Sequence, residues 1–173
     1  MNVTFHMLSA VATAAILSSK QKDRTLHQPF APNLPIVAAG FVLGVFVHGV
    51  LDYAPHSYPI RPVGDVAISL ALVALAMTLV KPRCRLLLGA CSLGGVFPDL
   101  VDLGPAIVNK HLGWSLPVVK LFPWHWRKYS GSIYDGKRFD SFLCHILVIA
   151  ASLISLYVFR RSFFARKQDE QLQ

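Results

Sequence analysis

The stretch that decides the fold begins as an apolar run, Ile36 to Val47, and ends in His48-Gly49-Val50-Leu51-Asp52-Tyr53-Ala54-Pro55-His56. The run is typical of a helix that enters a membrane, and polar residues begin where it ends. His48 and Asp52 are four positions apart, so a helix places them on one face, one turn from each other. Pro55 ends that helix and His56 follows directly. Two imidazoles and a carboxylate this close together have the spacing of metal ligands, and they lie at a membrane boundary.

The composition agrees with a membrane protein. Of 173 residues, 54% are hydrophobic and only 15% are charged, whereas soluble domains are about 25% charged. The net charge of +8 comes from basic residues that flank apolar runs, which favours membrane topology and anionic lipid headgroups as its explanation over a nucleic-acid partner. The three cysteines show no CxxC spacing, so we interpret them as small core residues.

The apolar runs predict an all-α integral membrane bundle of about five helices. The expected helices are Met1–Ser19, Pro35–Asp52, Val63–Val80, Leu86–Val108 and Ser141–Phe159. The first is short for a full crossing, and the fourth is interrupted by Gly94-Gly95 and Pro98. We therefore predict a single membrane domain over residues 1–160, with an outer loop rich in Trp, Pro and Gly over 109–140, and a basic tail over 161–173.

Basic residues predict the orientation. With five crossings, one side of the membrane receives three basic groups, which are Lys20/Lys22/Arg24, Lys81/Arg83/Arg85 and Arg160/Arg161/Arg166/Lys167. The positive-inside rule then places the N-terminus outside and the C-terminus in the cytoplasm, as in a bacterial inner-membrane protein.

This topology, derived from Lys and Arg alone, brings His and Asp residues together at the outer ends of the helices. The converging residues are His6, His48, Asp52, His56, Asp65, Asp99, Asp102, His125 and His145. A carboxylate deep in a bilayer costs roughly 2.5–3.5 kcal/mol on insertion scales, and several ligands sharing a divalent cation offset that cost. A set of His and Asp without thiolates suits Zn²⁺, with Mn²⁺ or Fe²⁺ as alternatives.

Structural roles for the same residues remain open at this stage. His48 and Asp52 could form an intrahelical hydrogen bond, and His145 could be a packing residue on an apolar helix. Asp65 could cap the third helix, and His56 could order a Pro-rich turn.

The motifs also resemble those of a known group. His6, the block His48 to His56, and Gly94-Gly95-Val96-Phe97-Pro98-Asp99-Leu100-Val101-Asp102 are similar to bacterial membrane-bound metal-dependent hydrolases, which are distantly like zinc-dependent phospholipase C. The resemblance implies metal ligands at His6, His48, Asp52, His56, Asp99, Asp102 and His145. That group often has His-Arg followed by Thr-His-Ser, whereas this chain has His125-Trp126-Arg127 and Ser130-Gly131-Ser132, so His125 is placed with the substrate contacts instead.

These patterns lead to one principal hypothesis, an integral membrane metal-dependent hydrolase with an outward-facing site. Metal-activated water would attack a phosphoester or ester, with membrane lipid as the expected partner and substrate source. Asp99 or Asp102 would act as general base. His125, Trp126, Arg127 and Lys128 would hold an anionic headgroup, or serve only as an interfacial anchor.

Two other functions are consistent with the same residues. A metal-ion or proton transporter would need polar residues that continue to the cytoplasmic side, and the inner halves of the second, third and fifth predicted helices carry almost none. A non-catalytic scaffold would use the metal only to hold its helices together.

Overall fold

The computed structural model describes residues 1–21, 33–133 and 138–165, and within these ranges the chain is all-helical. Its α-helices are α1 (Val3–Ser18), α2 (Leu34–Tyr53), α3 (Pro62–Leu79), α4 (Pro82–Asp102), α5 (Gly104–Leu112) and α6 (Arg138–Phe163), with a 3-10 helix at Pro123–His125. By length and composition, α2, α3, α4 and the Phe139–Phe163 part of α6 could each cross a membrane. The prediction of an all-helical membrane protein is confirmed at that level. Lys22, Arg24, Arg166 and Lys167, used in the orientation argument, lie outside the described residues.

Helix α1 is the centre of the bundle. It is 16 residues long, about 24 Å at 1.5 Å per residue, which is shorter than the roughly 30 Å hydrocarbon core. It contacts all four of the longer helices. Small side chains, among them Ala10, Ala14 and Ala15, are almost completely buried, so neighbouring backbones approach α1 closely.

The apolar stretch predicted over 86–108 is two helices rather than one. Helix α4 already begins at Pro82 and ends at Asp102, and α5 starts at Gly104. Pro105 explains the break, because proline has no N–H to donate and disfavours helical backbone in the residue before it. Pro98 lies inside α4 and is tolerated there. Asp99 and Asp102 therefore lie in the last turn of a helix, where the chain turns away.

Helices α2 and α4 touch through glycines. A Cβ atom on Gly44 would lie 2.5 Å from the carbonyl oxygen of Cys91, and one on Gly94 would overlap the backbone of Phe41. This close approach of the backbones is typical of small-residue contacts between membrane helices. It fixes the C-terminal end of α2 against that of α4, and both of those ends carry site residues.

The helix ends collect at two opposite ends of the bundle. At the end that we call the basic end, Ser18 contacts Ser162, and Lys81 N–H donates to the carbonyl of Phe163. This end carries the described basic residues Lys20, Lys81, Arg83, Arg85, Arg160 and Arg161. At the other, the site end, lie the start of α1 and the ends of α2 and α4.

Asp65 connects two helices at the site end. Its carboxylate accepts hydrogen bonds from Val3 N (2.8 Å), Thr4 N (2.9 Å) and Thr4 Oγ1 (2.7 Å). The first N–H groups of a helix have no partner within it, and a carboxylate placed there satisfies them. Asp65 therefore caps α1 from the first turn of α3, rather than α3 itself.

Candidate metal centre

Four side chains from three elements meet at the site end. Helix α2 contributes His48 and Asp52, α4 contributes Asp99, and the 3-10 helix contributes His125; one ligand atom of each lies within 4.8 Å of the others. We call this group the metal centre. His48 and Asp52 are buried, and Asp99 and His125 are partly buried. The i, i+4 spacing on α2 brings its two residues to one face, as the sequence predicted.

The separations between ligand atoms match those around a small cation. His48 Nε2 lies 3.4 Å from Asp52 Oδ2 and 3.7 Å from Asp99 Oδ1. His125 Nε2 lies 3.3 Å from the same oxygen of Asp52 and 3.2 Å from that of Asp99. The two Nε2 atoms are 3.3 Å apart. Tetrahedral ligands at distances of about 2.0–2.2 Å from a metal ion are separated by roughly 3.3 Å, so the four residues could hold a small metal ion.

The outer nitrogen of each ring is already committed to another partner. His48 Nδ1 lies 2.7 Å from the carbonyl oxygen of Gly95, and a carbonyl only accepts, so Nδ1 donates and Nε2 of the neutral ring presents its lone pair to the centre. His125 Nδ1 lies 2.8 Å from Asp102 Oδ2. This is the arrangement that orients metal-binding histidines, in which the nitrogen away from the metal donates to a carbonyl or carboxylate.

Asp102 therefore holds His125 and the loop that carries it. Besides contacting His125, its carboxylate accepts hydrogen bonds from the backbone N–H groups of Leu121 (2.8 Å) and Phe122 (3.0 Å). With its oxygens engaged in this way, Asp102 lies behind His125 and outside the four-residue group. The sequence predicted it as a ligand or base, and its position is that of a positioning residue.

Without a metal ion, a proton can occupy the centre. Burial lowers the pKa of His125, but hydrogen bonds with Asp52, Asp99 and Asp102 outweigh burial and raise it to about 10. A protonated His125 then balances the carboxylates around it. A metal ion must displace that proton, because only the deprotonated nitrogen binds metal.

His6 lies beside the metal centre without belonging to the group of four. Its ring stacks on His48 with centroids 4.0 Å apart, and its Nε2 lies 3.2 Å from Asp52 Oδ1. Its Nδ1 has no hydrogen-bond partner within the described residues, although the side chain is buried. His6 therefore faces the second oxygen of Asp52.

The structure does not bring the other two predicted histidine ligands to the metal centre. His56 follows Pro55 beyond the end of α2, and both of its ring nitrogens have partners in the loops. His145, on α6, stacks on Phe5 with ring centroids 4.4 Å apart. In this arrangement His145 packs α1 against α6.

The predicted headgroup contacts line the surface next to the site. Trp126, Arg127 and Lys128 are exposed, and Trp126 Nε1 donates to the carbonyl of Lys120. His125, which the sequence grouped with them, points instead into the metal centre. The sequence alone could not show this position of His125, because Asp102 on α4 holds the loop that carries His125. The sequence signal for His125 was its place in His125-Trp126-Arg127, which resembles the His-Arg motif of the hydrolase group.

Comparison of the chain with protein-family models, curated proteins and solved structures finds no match. The resemblance to membrane-bound metal-dependent hydrolases therefore stays a prediction, and the geometry of the site must support any function assigned to it.

Replacing Asp102 with Asn should weaken metal binding without abolishing it. Asn keeps the size of the side chain but loses the charge that orients His125, and such outer partners typically contribute 10–100-fold in metal affinity. Competition with a chelator of known affinity measures this change, with Asp140→Asn at an exposed site on α6 as control. A complete loss of metal in Asp102→Asn would instead make Asp102 a ligand, as the sequence predicted.

Proposed function

We propose that this chain is an integral membrane hydrolase that depends on a divalent metal ion held by His48, Asp52 and His125, with Asp99 beside the ion. Zinc is the first candidate, with manganese or iron as alternatives. The observation that carries the proposal is the pair of Nε2 atoms 3.3 Å apart, with two carboxylates around them and both Nδ1 atoms committed elsewhere. A divalent cation between them would replace the proton that His125 otherwise carries and balance the carboxylates.

The donor set supports a catalytic role. The side chains of the metal centre offer only nitrogen and oxygen atoms, whereas the zinc sites that only stabilise a fold are usually rich in cysteine. A divalent ion in such a site lowers the pKa of a water molecule towards neutrality. What the protein contributes besides the ligands is a group that accepts the proton of that water.

Asp99 is the residue best placed to accept the proton. Its side chain is 20% exposed, compared with 0% for His48 and 9% for Asp52. Its Oδ1 lies 3.2 Å from His125 Nε2 and 3.7 Å from His48 Nε2, next to the three ligands. Since Asp102 is occupied by His125 and two backbone amides, Asp99 is the better base of the two predicted carboxylates.

The surface around the site supports an anionic lipid phosphoester as substrate. Residues 103–133 contain no Asp or Glu, and they carry Lys110, Lys120, Arg127 and Lys128. Trp114 and Trp126 are exposed among them, and tryptophan is favoured at the interface of a membrane. A phosphate group held there would lie next to the metal centre.

The distribution of charge supports an outward-facing site. The basic end of the bundle would face the cytoplasm under the positive-inside rule, which places the site end outside and the C-terminus inside. With α1 as a fifth, short crossing, the N-terminus lies outside. A bacterial inner membrane is the setting that we propose.

Turnover in the presence and absence of metal tests the proposal. Protein purified in detergent under metal-replete conditions should hydrolyse at least one member of a panel of lipid phosphoesters. Chelation should abolish turnover, added Zn²⁺ should restore it, and Asp99→Ala should lower it by about 100-fold or more, the usual contribution of a general base. His111→Ala, at an exposed position on α5, is the matched control and should keep full activity. Bound metal without hydrolysis of any substrate would reject the enzyme.

A metal-pinned scaffold is the second candidate, and one observation favours it. If Asp99 also binds the ion, four protein ligands complete a tetrahedron, and structural zinc sites are closed in this way. The metal-replete and chelated samples distinguish the enzyme from the scaffold. A scaffold loses thermal stability on chelation but shows no turnover. A transporter is less well supported, because the described core towards the basic end is apolar and includes Leu87, Leu88 and Phe163.

A further inference from the structure

A second polar cluster lies at the site end, outside the metal centre, where two loops pair through their backbones. His56 N–H donates to the carbonyl of Gly131 (2.9 Å), and Ile133 N–H donates to the carbonyl of His56 (2.7 Å). Gly131 allows this approach, because a Cβ atom there would overlap the backbone of Ala54. The pairing fixes Ser132 opposite His56.

The side chains of this pair have the hydrogen bonds of a nucleophile and its base. His56 is fully buried, and its Nδ1 lies 2.8 Å from the carbonyl oxygen of Ala54. Since a carbonyl only accepts, Nδ1 carries the proton and Nε2 is the acceptor in the neutral ring. Ser132 Oγ lies 3.0 Å from Nε2, within the range for proton abstraction.

Ser130 Oγ lies 2.8 Å from Ser132 Oγ, and Tyr58 completes the network. Its hydroxyl lies 3.2 Å from His56 Nε2 and 2.9 Å from Ser132 Oγ. Because Nε2 accepts one strong hydrogen bond, the shorter contact favours Ser132 as its donor, with Tyr58 donating to Ser132 Oγ. Burial lowers the pKa of His56 to about 4, so the ring is neutral at pH 7.

We propose that Ser132, His56 and the carbonyl of Ala54 form a second reactive centre, a serine nucleophile for carboxylic esters. Ser132 Oγ forms a bond to the carbonyl carbon of the ester, and its proton passes to His56 Nε2. The bond to the alcohol oxygen then breaks, and the departing oxygen takes that proton from His56. Water releases the acyl group from Ser132 by the same steps.

The position of this centre permits access and separates it from the metal. Ser132 is half-buried and Tyr58 is 47% exposed, and both lie in loops outside the candidate membrane spans. The loop that carries Ser132 is connected to the metal centre by a backbone hydrogen bond, in which Gly131 N–H donates to the carbonyl of Asp52. Reactivity of Ser132 therefore does not require bound metal.

Labelling with a fluorophosphonate, which traps activated serines, tests the proposal on the full chain in detergent. Attack by Ser132 forms an O–P bond and expels fluoride, and peptide mass spectrometry locates the adduct. We expect the adduct on Ser132 in both metal-replete and chelator-treated protein. Ser132→Ala should abolish it, and Ser115→Ala, at an exposed position in the loop after α5, should keep it.

The contribution of His56 is measured by the labelling rate. His56→Gln should slow labelling by about 100-fold or more, since a positioned base contributes 10²–10⁴-fold. Retention of the helical circular dichroism signal and of the gel-filtration volume shows that the variant is folded. If His56→Gln does not fold, Tyr58→Phe is labelled instead. Its labelling rate should be no less than a tenth of the wild-type rate. Absence of an adduct on Ser132, or equal rates in folded wild type and His56→Gln, would overturn the proposal. Neither result depends on whether the metal centre is catalytic.

Discussion

Asp52→Asn protein, purified under metal-replete conditions, should contain almost no bound metal. The carboxylate of Asp52 lies between both imidazoles of the metal centre, 3.4 Å from His48 Nε2 and 3.3 Å from His125 Nε2. Its replacement removes both a ligand and a negative charge. Residues that hydrogen-bond to metal ligands typically contribute 10–100-fold in metal affinity. We therefore expect replacement of a ligand to lower the metal affinity by more than about 100-fold. Elemental analysis of the purified protein measures the metal directly.

His48→Ala is expected to give the same loss, and His111→Ala provides the control. His111 is an exposed histidine on α5, so its replacement changes the histidine count without touching the site. Gel filtration in detergent shows whether each variant remains folded. If both Asp52→Asn and His48→Ala retain full metal content, these four residues do not bind the ion. The same conclusion follows if wild-type protein is metal-free.

Gly94→Ala should destabilise the bundle by about 3 kcal/mol or more, at the upper end of what overpacking costs. The added methyl group would overlap the backbone of Phe41, and two backbones cannot yield as a flexible side chain can. Gly89→Ala on the same helix is the matched control. Its methyl group would lie 3.6 Å from Met77 Cε, an ordinary contact, and alanine is favoured over glycine in a helix by about 1 kcal/mol.

Thermal unfolding in detergent, followed by the helical circular dichroism signal, compares the two variants. The midpoint should fall in Gly94→Ala and stay unchanged or rise in Gly89→Ala. Because this helix contact also sets the distance between α2 and α4, metal content should fall together with stability in Gly94→Ala. Equal midpoints for Gly94→Ala and wild type would contradict the close packing of these helices.

The spanning helices were predictable because an apolar run of sufficient length has few alternatives in a membrane protein. The predicted bounds of the second helix, Pro35–Asp52, differ from Leu34–Tyr53 by a residue at each end. The central place of α1 was not predictable in this way. An apolar helix surrounded by other helices and one facing lipid have similar compositions, since both surroundings are apolar.

The metal centre was predictable where ligands share a helix and not where they depend on a loop. His48 and Asp52 follow from a spacing of four on α2, and Asp99 from a carboxylate in an apolar run. His125 depends on the path of the chain after α5, which Asp102 fixes through two backbone amides. His56 lies four positions after Asp52 and was also predicted as a ligand, but Pro55 ends the helix and turns the chain away.

The central position of α1 has a consequence for assembly. The helix nearest the start of the sequence is enclosed only when α6 packs against it, as Phe5 does with His145 and Ser18 with Ser162. These contacts join residues far apart in sequence, and such contacts form slowly. Until then, Phe5 and Ser18 of α1 lack their final neighbours. Closure of the bundle around its first helix is therefore a late event in biogenesis.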